Sequence, residues 1–532
     1  MDDAIARSWR APRLRRCRDL TIEHSPLPNR SVRQLLRNMV VGYASYVFAA
    51  VASLVLTPVL VRFLGAADYG ALNLFSTVGT YLGLVEVGVA TTMVQRVAAY
   101  LAVGRVKELG RLLSAGRSIY LAGSVLIATV WALVVVFLPS IFDVRGIPID
   151  DARLAAALLG LSSVATYLAT PSGAILFGGG RSDTAGLIGI AGASVLNGSQ
   201  IAAAALAGGM VAVAGAICGS AVFAAALSLI FARRTFPYLF GPSDGDKWDT
   251  TKDLLRSGSR NALLATAGSF SYGLDTIFIG LLLPVARVTP YVIAVGATGV
   301  VTSLATIGTG RLMPVISHAA SVGDSRTVER LFSGSIVASL TIAIPLEAVL
   351  IACGRPLLRI WLHNVPPDTY SVMIVLAVVA IFVLPGTQVF QLLSAMEKNG
   401  QLARFAIPAT LSNIAITLVT TPILGPIGPA IASLPQAILY ESGVSPRCAC
   451  RVLGLSGRRL LLQIGALVAP LIILSASLSL VEYSLVHGSD PLVVLPTASL
   501  IPILTWAAMT PLVVRRYPDV VASVMRRSAV TT

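Results

Sequence analysis

The segment IYLAGSVLIATVWALVVVFL at residues 119–138 decides the class of fold, because its twenty residues include no charged side chain. A helix of this length covers about 30 Å, the thickness of the hydrocarbon core of a bilayer. Similar apolar runs recur along most of the 532-residue chain, of which 55% is hydrophobic and 12% is charged. Soluble domains carry roughly 25% charged residues. A water-soluble fold is therefore excluded, and the apolar runs are expected to be helices, since lipid cannot satisfy an open backbone.

We predict an all-α polytopic membrane protein with about fourteen transmembrane helices. The predicted spans are 39–62, 71–94, 119–138, 154–177, 185–207, 211–231, 261–283, 291–313, 333–353, 371–393, 405–424, 428–441, 460–482 and 493–514. The twelfth span is short and contains Pro435, so the sequence leaves open whether it crosses the bilayer.

The basic residues indicate how these helices are oriented. With the N-terminus in the cytoplasm, 34 of the 40 Lys and Arg residues fall in the tails or in connections on the cytoplasmic side. This bias follows the positive-inside rule, and one missed or extra helix would reverse it midway along the chain. We therefore predict a multi-pass protein of the inner membrane with both termini in the cytoplasm. Topology also accounts for the net charge of +15 without a nucleic-acid partner.

An internal repeat divides the chain into two halves. GRVKELGRLL at 104–113 and GDSRTVERLF at 323–332 both follow the second helix of a six-helix set, and LGAADYG at 64–70 takes the place of residues 283–291. Duplicated six-helix halves are typical of transporters, with the substrate path between them. The predicted parts are an Arg-rich cytoplasmic tail (1–38), a first half (39–231), a cytoplasmic linker (232–260), a second half (261–441), a basic loop with two extra helices (442–514) and a cytoplasmic tail (515–532).

The sequence offers little outside the membrane that could house an enzyme. The longest predicted outer connection, 354–370, has about 17 residues, whereas membrane glycosyltransferases and polysaccharide polymerases usually place catalytic acids in a sizeable outer domain. The five cysteines and four histidines show neither CxxC nor HExxH spacing, so no metal site or disulfide framework is expected.

Several motifs, in order along both halves, resemble one family. They are LGAADYG at 64–70, YLGLVEVGVATTMVQRVA at 81–98, SYGLD at 271–275, GRPLLRIWLHN at 354–364, LLSAMEKNGQLARF at 392–405 and ILGPIGPAIAS at 423–433. Together they resemble the Wzx-type flippases, the polysaccharide-export branch of the multidrug/oligosaccharidyl-lipid/polysaccharide (MOP) superfamily. The resemblance covers residues 31 to about 440.

The resemblance implies a non-enzymatic transporter that flips polyprenyl-diphosphate-linked oligosaccharide units for exopolysaccharide, O-antigen or capsule synthesis. It implies no bound cofactor, a proton or sodium gradient as the energy source, and a polysaccharide polymerase and a chain-length regulator as further partners. Three alternatives stay open: a cation-coupled multidrug exporter, a lipid II flippase and a membrane-embedded glycan polymerase. The lipid II alternative is disfavoured because residues 39–61 of the first helix carry no charge, whereas those relatives tend to carry arginines there.

Acidic side chains within the predicted helices are the first candidates for a functional site. A charge at the bilayer centre costs roughly 2.5–3.5 kcal/mol on insertion scales, so such residues usually face a polar cavity. Asp275 lies deep in the helix at 261–283, and we predict that it couples flipping to an ion gradient by exchanging a proton as its surroundings change. Glu86 is either a cavity residue or a packing hydrogen-bond partner, and Glu347 after Pro345 is expected to be interfacial.

Basic and amide side chains complete the candidate site. Arg62, Arg96 and Arg311 lie at predicted helix ends, where they either extend to the headgroups or bind a diphosphate through the planar guanidinium fork. Five amides lie inside helices and suit sugar hydroxyls, with interhelical hydrogen bonding as the alternative role. These amides are Asn197, Gln200, Gln388, Gln391 and Asn413.

Overall fold

The structure is a computed structural model, and among the residues that it describes there are helices, turns and short connections but no strand. The described residues are 30–83, 87–102, 105–236, 248–258, 273–307, 309, 312–362, 364–396, 398 and 400–454, together with short helical pieces between 465 and 515. The prediction of an all-α membrane protein is confirmed.

The described residues of the first half and the linker form eight helices. They are α1 (Arg30–Gly83), α2 (Val87–Ala102), α3 (Val106–Val136), α4 (Leu138–Ile141), α5 (Ile149–Gly178), α6 (Ser182–Leu206), α7 (Gly209–Thr235) and α8, which includes residues 248–258.

The second half continues from α9 to α16. Its elements are α9 (Asp275–Leu282), a 3₁₀ turn (Val285–Arg287), α10 (Val288–Ile307), α11 (Leu312–Ser321), α12 (Ser325–Leu362), α13 (Thr369–Ala395), α14 (Gly400–Leu424), α15 (Ile427–Pro435), a π-helix (Gln436–Val444) and α16 (Ser445–Leu453).

Within the described part of the chain, nine segments are long and apolar enough to cross a membrane. They correspond to the first two predicted helices taken together, to helices three to six and to helices eight to eleven. The predicted seventh, thirteenth and fourteenth helices lie partly outside the described residues, so the total of fourteen remains a prediction.

Gly65 produces the first difference from the predicted helices. The sequence predicted a loop from 63 to 70, but α1 continues through it with a single kink at Gly65, where φ is 76° and ψ is 177°. A positive φ of this size favours glycine, which has no Cβ to clash with the backbone. The turn between the first two spans is therefore made by one residue.

The predicted twelfth span is longer than the sequence indicated. Helical backbone runs from Ile427 through the π-helix to Leu453 without a break. At 1.5 Å per residue this is about 40 Å, enough to cross the bilayer. The outer connection predicted at 354–370 is in turn shorter, because α12 extends to Leu362.

Each half is organised around one central helix. In the first half, α5 packs against α1, α2, α3, α6 and α7, and in the second half α13 packs against α10, α11, α12, α15, the π-helix and α16. These two helices are the predicted fourth helix of each half. The equivalent positions agree with the repeat read from the sequence.

The halves meet closely at the end of the bundle predicted to be periplasmic, which we call the outer end. A Cβ added to Gly70 of α1 would lie 2.5 Å from the carbonyl oxygen of Val285, so only glycine allows this approach. Thr289 donates its hydroxyl to the Ala66 carbonyl at 2.5 Å, and the Val285 amide donates to the Asp143 carbonyl at 3.0 Å. The largest apolar core includes residues of both halves at this end.

A tryptophan of the second half also bonds to a helix of the first half. Pro58 lacks an N–H, so the Leu54 carbonyl has no partner within α1. Trp361 of α12 donates its Nε1 to that carbonyl at 2.8 Å. Since lipid cannot satisfy a free carbonyl, this bond links the two halves at a point where α1 needs a donor.

Reporter fusions test the predicted topology. We expect fusions after Lys107, Trp248 and Arg527 to report a cytoplasmic location, and fusions after Pro148 and Pro366 to report a periplasmic one. Paired alkaline phosphatase and green fluorescent protein fusions give opposite signals on the two sides, so each position carries its own control. One position with reversed signals would contradict the helix count.

Candidate functional site

Asp275 is a buried acid with a specific partner. It begins α9, is 2% exposed, and its Oδ2 accepts a hydrogen bond from the Tyr291 hydroxyl of α10 at 2.5 Å. Tyr291 is buried as well. The described residues supply no basic side chain to this carboxyl group. Such a group, held by a neutral donor, can exchange a proton when a conformational change alters its access to water.

Tyr81 of α1 brings the first half of the chain to this site. A Cβ on Gly273 would overlap the Tyr81 hydroxyl, so the tyrosine packs directly on the backbone two residues before Asp275. Leu74, earlier in α1, packs against Gly280 of α9 in the same way. Asp275 and Tyr291 therefore lie at the boundary between the halves, where relative movement would change their surroundings.

The amides of the second half form interhelical hydrogen bonds. Gln388 is buried in α13, and its Nε2 donates to the Thr309 hydroxyl at 3.1 Å. Asn413 of α14 donates to the Ser433 hydroxyl of α15 at 3.3 Å. Gln391, one turn after Gln388, is half-buried. These hydrogen bonds match the packing alternative, although each amide keeps hydrogen-bonding capacity for a ligand.

The amides of the first half lie on α6, which packs against α1, α5 and α7. Asn197 donates its Nδ2 to the Ala193 carbonyl of its own helix at 2.7 Å, and Gln200 is buried. They are thus placed in the first half, on a different helix from those that hold Asp275.

Arg96 is engaged with the linker. Its guanidinium lies 2.8 Å from Asp253 of α8 and donates to the Ser257 hydroxyl at 3.3 Å. A Cβ on Gly258 would meet the Val89 side chain at 2.8 Å, so α8 packs closely on α2. A diphosphate would have to compete with Asp253 for Arg96. Arg62 is exposed on α1, three residues before the kink at Gly65.

Glu86 and Arg311 lie outside the described residues. Glu347, by contrast, was expected near the membrane interface, yet it is fully buried in α12. Among the described residues, neither of its carboxyl oxygens has a hydrogen-bond partner. In the same part of the chain, no group of three His, Cys, Asp or Glu side chains is arranged to hold a metal ion.

Sequence reasoning missed three residues near these sites. Tyr81 begins one of the motifs and Tyr291 begins a predicted span, but neither carried a signal of a hydrogen-bonded role, since their contacts join distant helices. Glu441 stood at the end of a predicted helix, but the π-helix places it against α13, where a Cβ on Gly386 would overlap its carboxyl group. Gly386, which has no side chain and so leaves room for a neighbour, was the one hint of this contact in the sequence.

The family follows from the sequence match. Residues 35–320, more than half of the chain, match the family described as "Polysaccharide biosynthesis protein". This chain belongs to the polysaccharide biosynthesis protein family. The family assignment confirms the Wzx-type resemblance read from the motifs. No match is found among curated proteins.

Solved structures of several membrane transporters share this family member's fold. The lipid II flippase MurJ in an inward closed conformation superposes with a TM-score of 0.69 at 13% identity, covering 90% of this chain and 99% of that chain. An inward-facing multidrug resistance MATE family transporter of the MOP superfamily gives a TM-score of 0.59 at 17% identity, covering 76% of this chain and 95% of that chain. The eukaryotic MATE transporter AtDTX14 gives a TM-score of 0.53 at 12% identity, covering 82% of this chain and 98% of that chain. The polysaccharide biosynthesis protein is therefore a multi-pass membrane protein with the fold of these transporters.

Proposed function

We propose that this protein flips polyprenyl-diphosphate-linked oligosaccharide units across the inner membrane for assembly of an extracellular polysaccharide. The observation that carries the proposal is the Asp275–Tyr291 pair, which lies at the boundary of the two halves beside Tyr81 of the first half. Family membership provides the link to polysaccharide synthesis.

Alternating access would carry out the transfer. The polar sugar and diphosphate occupy a cavity between the halves while the isoprenoid chain stays in lipid, and rocking of one half against the other exposes the headgroup to each side in turn. Proton exchange at Asp275 couples this movement to the proton gradient. About two negative charges moving outward gain roughly 2.3 kcal/mol each per 100 mV of membrane potential.

Gene deletion tests the proposed function. Cells without the protein should accumulate the completed repeat unit on its polyprenyl diphosphate carrier at the inner face, and the full-length protein supplied in trans should release it. Mass spectrometry of extracted lipids, combined with enzymatic labelling of outward-facing sugars, measures both amount and side. Accumulation of lipid II would identify a lipid II flippase, while unchanged lipids with increased drug sensitivity would identify a multidrug exporter; either result would overturn the proposal.

Two further assignments belong to this proposal. Both termini lie in the cytoplasm, as the distribution of basic residues indicates. A polysaccharide polymerase and a chain-length regulator receive the flipped unit on the outer face, because a lipid-linked repeat must be consumed there for the carrier to return.

A further inference from the structure

A cavity lined by hydroxyl groups lies inside the first half. It has a volume of about 370 Å³ and is bounded by α1, α3, α5 and α7. Six hydroxyl side chains line it: Ser76, Thr80, Ser162, Ser163, Thr166 and Tyr167. Small-molecule sites in proteins usually have volumes of about 300–1,000 Å³, so the cavity is large enough for a small polar ligand.

The hydroxyl groups are arranged to accept hydrogen bonds. Thr80 donates to the Ser76 carbonyl at 3.0 Å, and Thr166 donates to the Ser162 carbonyl at 2.9 Å. Because each hydroxyl hydrogen is used within its own helix, the oxygen lone pairs remain free for donors in the cavity. Both threonines have exposed side chains, which places these acceptors within reach of a ligand.

Trp131 adds an unused donor beside the cavity. Its Nε1 is buried and has no acceptor among the described residues. The ring edge next to this nitrogen lies 3.5 Å from the position that a Cβ on Gly79 would occupy, and Gly79 lines the cavity. A buried N–H without an acceptor costs free energy, and a ligand hydroxyl would satisfy it.

The lining contains no charged side chain. The adjoining cavity, of about 500 Å³, shares Ser162, Thr166 and Ile217 with the first and likewise has no acid or base in its lining. Burying an ionised group without a counter-charge is strongly unfavourable. A carboxylate or a phosphate is therefore a poor occupant, whereas a neutral group with many hydroxyls matches the acceptors and the unused donor.

We propose that this hydroxyl-lined cavity binds uncharged sugar residues of the lipid-linked headgroup and discriminates against sugars that carry a carboxylate. The inference rests on the proposed flippase function and adds a substrate class to it. Thr80 also adjoins Tyr81, which packs beside Asp275 on another face of the same helix. The cavity and the Asp275 site thus lie beside the same turn of α1.

Binding to the purified full-length protein in lipid nanodiscs tests this inference. The two probes are undecaprenyl diphosphate bearing a neutral hexose disaccharide and the same lipid bearing a hexuronic acid at the terminal position. We expect the neutral probe to bind the wild type at least tenfold more tightly. The isosteric double variant Thr80→Val/Thr166→Val should bind the neutral probe about tenfold more weakly, since it loses two hydrogen bonds to the sugar.

A matched control separates this effect from the general loss of a hydroxyl group. Thr129 of α3 is equally exposed and bonds to its own helix in the same way, with its hydroxyl 2.9 Å from the Val125 carbonyl, but it lines neither cavity. Thr129→Val should bind like the wild type. Unchanged affinity of the double variant, or equal binding of both probes by the wild type, would overturn the inference, whereas the proposed flippase function is judged separately by release of the trapped repeat unit.

Discussion

Replacing Asp275 with asparagine is expected to abolish polymer export while leaving the protein folded and inserted. Asparagine keeps the shape of the side chain and can accept the Tyr291 hydrogen bond, but it cannot bind and release a proton. Asp275→Glu retains a titratable group and should keep part of the export. Complementation of the deletion strain, with polymer and trapped lipid-linked repeat measured together, distinguishes these outcomes.

A second buried acid provides the control. Glu347 is also fully buried, but its carboxyl oxygens have no partner among the described residues. Glu347→Gln should export normally, because we assign this residue no role in proton exchange. Protein levels and monodispersity in detergent must match the wild type for each variant. Normal export by a well-expressed Asp275→Asn protein would exclude the coupling role and leave Asp275 as a packing residue.

Replacing Trp361 with phenylalanine is expected to favour opening of the outer end by about tenfold. The variant keeps an aromatic ring but leaves the Leu54 carbonyl without a donor when the halves are closed. Lipid cannot satisfy this carbonyl, and an unsatisfied polar group costs about 1–3 kcal/mol. Spin labels at positions 63 and 359, in a background lacking native cysteines, report the distance between α1 and α12 by double electron–electron resonance. The population with the longer distance should increase.

Pro58→Ala is the internal control for this bond. Alanine at 58 supplies the N–H that the Leu54 carbonyl lacks, so Trp361→Phe in the Pro58→Ala background should change the distances little. Trp506 donates its Nε1 to the Thr341 carbonyl of α12 at 2.9 Å without joining α12 to the first half, and Trp506→Phe should leave the distances unchanged. Equal effects of Trp361→Phe with and without Pro58 would show that the freed carbonyl is not the cause.

The sequence predicted the membrane class and most spans because hydropathy reports directly on lipid exposure. The segments at 154–177, 185–207 and 371–393 lie within a few residues of α5, α6 and α13. The ends were less accurate, since a helix can continue past charged residues such as Arg355 and Arg359, which mark the edge of an apolar run. The kink at Gly65 and the π-helix could not be predicted either, because neither of them changes the hydropathy of the sequence.

The candidate site was predicted only in part. Burial of Asp275 could be expected from its position in an apolar segment, but its partner Tyr291 and the approach of Tyr81 depend on how separate helices pack. Glu347 was expected at the membrane interface, and its full burial among the residues around α12 could not be read from the sequence, because it depends on which helices pack against α12. Sequence patterns identify unusual residues, while three-dimensional packing decides what they contact.

The π-helix at Gln436–Val444 has a consequence for how this region tolerates changes in chain length. A π-helix has more residues per turn than an α-helix, so it acts as a phase shift between the helical segments on either side. Removing one residue would let the segment return to α-helix, because an α-helical hydrogen-bonded ring encloses one residue fewer, so the loss is absorbed within the segment. The same deletion at the start of α16 would instead rotate the residues after it by about 100°. The π-helix is therefore the place where this part of the chain can lose a residue without turning the buried Cys448 and Cys450 away from their neighbours.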